Sequence, residues 1–446
     1  MSERLSEIEY AKILKAYFQN LANEKLPPLL KLKTPSRIGI VKRISPDIKS
    51  GIYDINLLYS AKEYEPIITR FKDVIDHKLP HCNNSAFYNN IEELSVRTIG
   101  KNTPPFSLAR THYNSDYNKI TLNTLEYQDK ELTGEDYQRK IENAFTTELI
   151  HLATSYTRGV LTSTGFQQTI PGVQKVGMGL NDGYTELINR RYFQTEQQRN
   201  TGETNGICEE QQIFAYGIEK LIGRKTMEQL FFNADLDGLV TEIERYSDRN
   251  TAIDIIRKID EFHLSTERIT KDKLSAEIKI TLANLIQKRI NKTYHEGRID
   301  QEQYESLSLN NALYLQGKEL IKQSNNSYFY GDITSEHGYE IAKDTYEVLK
   351  NNYFHQKEDT PYSIYDTLPH DRDLPSQVTY LIQEQQKGRD FSKIERIDFI
   401  DPSNNIYRFV LRKPNVRQEM PEHSTALNEM FETFASENSQ IKSQIK

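Results

Sequence analysis

The chain has 446 residues, of which 37% are hydrophobic and 27% are charged, and its formal net charge at pH 7 is -7. A chain of this length usually folds into two or three structural units. The negative net charge argues against a dedicated nucleic-acid binder, which needs a basic surface. Two cysteines are too few for a disulfide framework or a Cys-rich metal site.

No apolar run approaches the roughly 20 residues that cross a bilayer, so we expect no contact with a membrane. Residues 1–8 are rich in charge and lack the apolar stretch of a signal segment. The two cysteines are then expected to be free thiols in a reducing compartment. These features predict a cytoplasmic protein.

The N-terminal region combines helical and strand patterns. Apolar residues recur at helical spacing between Leu5 and Leu26, where Pro27 and Pro28 follow, and again over residues 61–77. Between them, two runs rich in β-branched residues within 37–58 predict a hairpin. We therefore expect an α/β region over residues 1–85.

The next elements are predicted to be a short strand, a helix, a long loop and a second helix. The strand is Lys119–Asn123, and the first helix extends from Tyr137 to about Tyr156. The glycine-containing segment from Arg158 to Gly179 is expected to be a loop, although it is long for one. The second helix is expected to begin near Asn181, with Asn181 as its N-cap, and to continue past Tyr192.

Later elements are mostly helical in pattern. Glu209–Ile222 predicts a helix that ends at Gly223. From Thr251 to about Lys350 the periodicity is helical almost throughout, and lone histidines such as His263 are expected to be surface or capping residues. Ile394–Ile400 and Ile406–Leu411 predict a hairpin, and the polar sequence after Pro414 predicts a flexible tail.

The stretch Thr147-Glu148-Leu149-Ile150-His151 carries most of the chemical information. Positions 147 and 151 are one helical turn apart, which is how two histidines hold one zinc ion while the intervening Glu acts on the bound water. In this chain Thr147 occupies the first-ligand position, and its neutral hydroxyl is a poor substitute for imidazole. Glu148 keeps the general-base position, and His151 keeps the second-ligand position.

A second stretch, Asn181-Asp182-Gly183-Tyr184-Thr185-Glu186, follows about thirty residues later. Together the two stretches resemble an uncharacterised group of bacterial zincin-like proteins, related to gluzincin-type metallopeptidases, which pair His-Glu-Leu-x-His with Leu-Asn-Glu-Gly-x-Thr-Glu. The resemblance covers roughly residues 86–260. Both stretches depart from the family pattern, because Thr replaces the first His and Asp replaces the ligand Glu.

The resemblance implies an α+β, mostly helical fold with a zincin-like core that contains a small sheet and an active-site-type helix. Asp182 would be the third metal ligand, one methylene shorter than the family's Glu, and Glu186 would orient a ligating His. Lys119–Asn123 would be the edge strand that holds an extended substrate by main-chain hydrogen bonds. The predicted units are residues 1–85, the zincin-like core 86–260, a helical region 261–390, a hairpin 391–414 and the tail 415–446.

Three functions remain open from the sequence. In the first, the chain has lost catalysis, binds no zinc or binds it weakly, and uses its cleft for an extended peptide or protein partner. In the second, it is an active zinc metallopeptidase in which another residue, such as His112, replaces the missing ligand. In the third, it is an α-rich scaffold protein whose motif is accidental, with Phe145, Leu149 and Leu152 as an ordinary core face and Asp182 and Glu186 as first-turn acids.

Overall fold

The protein is described here by a computed structural model, which is mostly helical with small sheets and confirms the predicted α+β, mostly helical class. None of the described helices is both long enough and apolar enough to cross a membrane. The predicted N-terminal helix, the predicted hairpin except Leu58, and the predicted tail lie outside the described residues. These residues are 58–60, 64–92, 94–99, 111–115, 118–123, 134–158, 161–169, 175–194, 208–323, 326–334, 338–358, 374–401 and 406–412.

A mixed sheet forms from the first four described strands, in the order β1-β2-β4-β3. The strand predicted at Lys119–Asn123 is present, but its predicted edge position is wrong, because β2 and β3 flank it and its residues from Ile120 onward are buried. Among the described strands, β3 is the edge on that side. The four strands are β1 (Leu58–Ser60), β2 (Ser95–Ile99), β3 (His112–Asn114) and β4 (Lys119–Asn123).

The described helices of this part of the chain are α1 (Glu65–Lys78), α2 (Ser85–Ile91) and α3 (Gly134–Ala153). Helix α3 packs against β3 and β4 of this sheet, and α1 and α2 pack against α3. α1 confirms the helix predicted over 61–77, and its buried residues recur at helical spacing. α3 begins and ends three residues earlier than predicted. It ends there because the Ser155 hydroxyl donates to the His151 carbonyl at 2.7 Å, which satisfies an acceptor of the last turn as the chain leaves the helix.

Among its described residues, the segment predicted as a loop between the two motif helices contains strands of a three-stranded antiparallel sheet. Its strands are β5 (Ser155–Arg158), β6 (Leu161–Thr164) and β7 (Gln167–Thr169). Serine, threonine and glutamine dominate these strands, so they lack the apolar alternation that identifies a strand in a sequence. Their buried hydroxyls pair with each other, as in the 2.9 Å contact between Ser155 and Thr164.

The second motif helix, α4 (Met178–Ile188), continues as a π-helical turn over Asn189–Phe193. Its N-cap is Gly177, so the predicted N-cap role of Asn181 is wrong. The helix begins early because the buried Asp260 carboxylate accepts the N–H groups of Gly177 at 2.6 Å and Gly179 at 2.9 Å. A carboxylate at this position also complements the positive end of the helix dipole.

Six further helices complete the larger hydrophobic core, whose buried residues extend in sequence from Ile67 to Ile333. The predicted helix at Glu209–Ile222 is confirmed, and it ends at Gly223, whose φ of 96° is accessible to glycine. The six helices are α5 (Glu209–Ile222), α6 (Arg224–Phe232), α7 (Leu236–Glu244), α8 (Arg249–Leu264), α9 (Arg268–His295) and α10 (Gln301–Tyr314).

The C-terminal part builds a smaller core from a three-stranded sheet, two helices and a hairpin. The prediction of helix almost throughout 251–350 is wrong for this sheet, in which Tyr328 and Tyr330 alternate inward with the period of a strand. The predicted C-terminal hairpin is confirmed. The elements are β8 (Lys318–Lys322), β9 (Tyr328–Asp332), β10 (Gly338–Ile341), α11 (Lys343–Glu358), α12 (Leu374–Gln386), β11 (Ile394–Asp401) and β12 (Ile406–Leu411).

α4 approaches its neighbours closely at two glycines, four residues apart on one helix. A Cβ on Gly179 would lie 2.7 Å from the carbonyl oxygen of Ile259 in α8, and one on Gly183 would lie 2.3 Å from that of Gln211 in α5. Both obstacles are backbone atoms, which cannot rotate out of the way as a side chain can. The position of α4 therefore depends on glycine at both sites.

We expect Gly183→Ala to lower the free energy of unfolding by about 1–3 kcal/mol, because the methyl group must push α4 away from α5. Denaturant unfolding followed by circular dichroism measures the loss. Gly134→Ala is the matched control, since a Cβ there meets no atom within 4 Å. Equal stability of the two variants would show that α4 and α5 do not pack this closely.

Candidate functional site

The first motif lies on α3, whose core face is formed by Phe145, Leu149 and Leu152, all fully buried. With that face packed inward, helical geometry turns Thr147 and His151 toward α4. Thr147 contacts Asn189 and His151 contacts Asn181, so the two motifs predicted from the sequence are adjacent in the fold. We call Thr147, Glu148, His151, Asn181, Asp182 and Glu186 the α3–α4 site.

The Thr147 hydroxyl is engaged on both sides. It donates to the Asn143 carbonyl one turn earlier at 3.2 Å, and it accepts the side-chain amide of Asn189 at 2.8 Å. A threonine hydroxyl is already a poor zinc ligand. Here the hydrogen bond from Asn189 to the Thr147 hydroxyl also joins α3 to the π-helical end of α4.

Glu148, in the general-base position, contacts the edge strand of the mixed sheet. Its side chain is 7% exposed, and one carboxylate oxygen accepts the backbone N–H of Tyr113 in β3 at 2.5 Å. His112, the replacement ligand suggested by the sequence, precedes Tyr113 on this strand and is half-buried. The general-base carboxylate thus acts as a link between α3 and β3.

His151 is a half-buried imidazole beside α4. Its Nδ1 atom lies 3.5 Å from the side-chain nitrogen of Asn181, which is long for a hydrogen bond. Burial lowers the pKa of His151, with Lys175 acting in the same direction and Asp182 opposing. The imidazole is therefore neutral at pH 7, which is the form that can bind a metal ion.

Asp182 lies beside a histidine that the sequence did not connect with the site. Its carboxylate is 3.8 Å from Nδ1 of His263 near the end of α8, and both side chains are partly exposed. His263 was predicted to be a surface or capping residue. No local pattern could have joined it to Asp182, because 81 residues separate them and the contact depends on the close packing of α8 on α4 at Gly179.

Glu186, one turn after Asp182, is a half-buried carboxyl. Burial and the neighbouring Asp182 raise its pKa to about 7. The thiol of Cys208 is close to the same two carboxylates: burial, Asp182 and Glu186 together raise its pKa to about 12, while Lys271 opposes. Cys208 is another residue that the sequence did not connect with the site. Its raised pKa keeps it a thiol rather than a nucleophilic thiolate.

A seam of buried polar residues continues along the contact between the two helices. On α4 and the π-helical turn after it, the seam consists of Asn181, Thr185 and Asn189, spaced four residues apart and each no more than 2% exposed. Asn181 Oδ1, Thr185 Oγ1 and Asn189 Oδ1 accept no hydrogen bond from the described residues. A buried acceptor that is left without a donor costs roughly 1–3 kcal/mol. Facing the seam on α3 are Asn143, Thr147 and His151.

The donor set does not match a zinc centre. Zinc in a catalytic site takes three protein ligands and a water molecule. In the described part of the chain, no three His, Cys, Asp or Glu residues are grouped so that they could hold a metal ion. His151 and Asp182 are the two candidate ligands that the motifs supply, and Thr147 does not add a third.

No known protein family matches the chain, and comparisons with curated proteins and with solved structures find no match either.

The pKa of Glu186 predicts a dependence of stability on pH. Because the folded-state pKa is about 7 and the ordinary value is 4.5, the folded state binds the proton more tightly. Stability should therefore fall as the pH rises from about 4.5 to about 7 and then level off. Glu186→Gln removes this loss, so at pH 8 we expect the variant to be more stable than the natural chain by about 1–3 kcal/mol.

Chemical denaturation of both proteins between pH 4 and pH 8.5 tests this expectation. Glu65→Gln, on the exposed start of α1, controls for the loss of one negative charge. A difference between Glu186→Gln and the natural chain that stays constant over this pH range would contradict the proposed titration.

Proposed function

We propose that this chain is a zincin-like protein of the gluzincin type that no longer catalyses metal-dependent hydrolysis and that binds an extended peptide or a partner protein beside β3. The observation that carries the proposal is the 2.8 Å hydrogen bond from the Asn189 amide to the Thr147 hydroxyl. It engages the residue in the first-ligand position in a structural contact between the two motif helices.

The contact of Glu148 supports the loss of catalysis. A carboxylate can deprotonate water effectively when a metal ion has lowered the pKa of that water. With His151 and Asp182 as the available ligands, the site lacks one protein ligand for catalytic zinc. Glu148 instead accepts the N–H of Tyr113, so the general-base position has a structural contact.

The same contact supports peptide binding. It holds the edge strand β3 directly against α3, so an extended segment bound beside β3 would lie next to the α3–α4 site. Because Glu148 occupies the Tyr113 N–H, such a segment would contact side chains of the site rather than add to β3 as a further strand. The adjacency of both motifs also favours this proposal over an accidental motif in a scaffold protein.

The first half of the proposal is tested by zinc content. We expect the natural chain, purified without chelators, to contain close to no zinc, and Thr147→His to contain about one zinc ion per chain, because the substitution restores the third ligand. Elemental analysis of both proteins gives the stoichiometry. Thr241→His, on the exposed side of α7, controls for zinc bound by an added surface histidine.

The active metallopeptidase remains the second candidate, because His112 lies on the strand that contacts Glu148. Stoichiometric zinc in the natural chain, lost on His112→Ala, would favour this candidate and count against the proposal of lost catalysis. No gain of zinc in a folded Thr147→His protein would count against the zincin assignment itself.

The second half is tested by peptide binding. We expect short extended peptides selected from a synthetic random array to protect the amides of β3 and of the α3–α4 site from hydrogen exchange, because the bound peptide covers these elements. Asp182→Lys places a long cation in the site and should weaken the binding about tenfold or more. Protection elsewhere in the chain, or unchanged binding by Asp182→Lys, would place the peptide at another surface.

A further inference from the structure

Several described strands have outer edges that are bonded by side chains of neighbouring elements. A bonded edge cannot accept another strand at that point, which prevents unwanted pairing. In β3 the Tyr113 N–H donates to Glu148, and in β8 the Leu320 N–H donates to Asn310. At β10, Gln385 accepts the Ala342 N–H and donates its amide to the Glu340 carbonyl. In β11 the Ile397 N–H donates to Asn352, and the Glu395 carbonyl accepts the Asn351 amide.

The outer edge of β12 differs from these edges. The backbone N–H of Arg412, just after β12, donates to the carbonyl of Lys393, just before β11, at 3.0 Å. This N–H therefore points toward β11. Because successive N–H groups of a strand alternate in direction, those of Leu411 and Phe409 point away from β11. Ile397, the register partner of Phe409, donates to Asn352 instead of to β12, as this alternation requires. Within the part of the chain that the structure describes, no side chain bonds to this outer edge.

The exposed side chains of β12 are basic and apolar. Arg408, Val410 and Arg412 occupy alternate positions of the chain, so their side chains lie on one face of the hairpin. Asp398 is bonded by Arg396 at 2.9 Å and lies 3.9 Å from Arg408, so a single carboxylate serves both arginines. No ion pair among the described residues reaches Arg412. Leu411, on the other face, is 66% exposed.

We propose that β12 is a docking edge for an extended acidic segment of a partner protein. The segment adds to the hairpin as a third strand, donating and accepting main-chain hydrogen bonds at Phe409 and Leu411. Acidic residues at alternate positions of the segment face Arg408 and Arg412, where opposite charges on neighbouring strands attract each other. A second copy of β12 fits less well, because it brings the same arginines to the same edge.

The test uses the full chain and two labelled synthetic peptides, one of alternating Glu and Val and one of alternating Lys and Val. Fluorescence anisotropy at low ionic strength measures their affinities. We expect the Glu-Val peptide to bind at least about tenfold more tightly than the Lys-Val peptide, and this preference to shrink with added salt. The double variant Arg408→Glu with Arg412→Glu should reverse the preference.

Leu411→Pro separates strand addition from simple charge attraction. It removes an outward N–H while leaving the bonds between β11 and β12 in place, as proline does on an edge strand. We expect it to weaken binding of the Glu-Val peptide by about tenfold. Leu411→Ala keeps the N–H and controls for the lost side chain. Melting curves of the two variants, followed by circular dichroism, verify that both are folded.

Three results would overturn the proposal: equal binding of both peptides, full binding by a folded Leu411→Pro, or a dimer of the natural chain that Leu411→Pro abolishes. The last result would assign the edge to a second copy. If Leu411→Pro does not fold, hydrogen exchange at Phe409 and Leu411 of the natural chain decides the question. Added Glu-Val peptide must slow the exchange of these amides, and unchanged exchange would refute strand addition.

Discussion

The position of α4 is the constraint on which the rest of the larger core depends. Gly179 and Gly183 allow the backbone of this helix to approach those of α8 and α5 to a distance at which no Cβ fits. The buried Asp260 carboxylate then fixes the start of the helix by accepting two of its N–H groups. Since a buried carboxylate is costly unless it is bonded, this cap and the close packing stabilise each other. The site residues of α4 owe their positions to these contacts.

Part of the second motif is explained by this packing rather than by chemistry. Gly183 is needed for the approach to α5, and the fully buried Tyr184 donates its hydroxyl to Glu219 at 3.2 Å. Residues of the first motif also have structural roles, because Thr147 and Glu148 both make contacts that join elements of the fold. Residues at positions for which the sequence predicted chemical roles thus have structural partners.

A buried polar network connects the helical core to the region around α1 and α2. Arg191 binds Glu219 through two nitrogen atoms at 2.8 and 3.0 Å, the geometry that makes a guanidinium–carboxylate pair specific. Glu228, 1% exposed, accepts the Tyr192 hydroxyl at 2.5 Å and lies 2.6 Å from Nε2 of His81. Replacing one member would leave a buried charge without its partner, which costs more than the network contributes. The network therefore favours one arrangement of α4, α5 and α6 with the segment after α1.

The sequence predicted α1, α3, α5 and the β11–β12 hairpin, because their apolar residues recur with the regular spacing of a helix or a strand. It also identified the two stretches that meet in the α3–α4 site. It missed the polar strands β5–β7, which carry no apolar alternation, and the edge position of β3, which depends on the order of strands in the sheet. The packing of distant elements brings His263 and Cys208 to Asp182, bonds Asn189 to Thr147 and directs Glu148 to β3. These contacts join residues far apart in the chain, and their physical cause is how closely the helices pack, which no local pattern records.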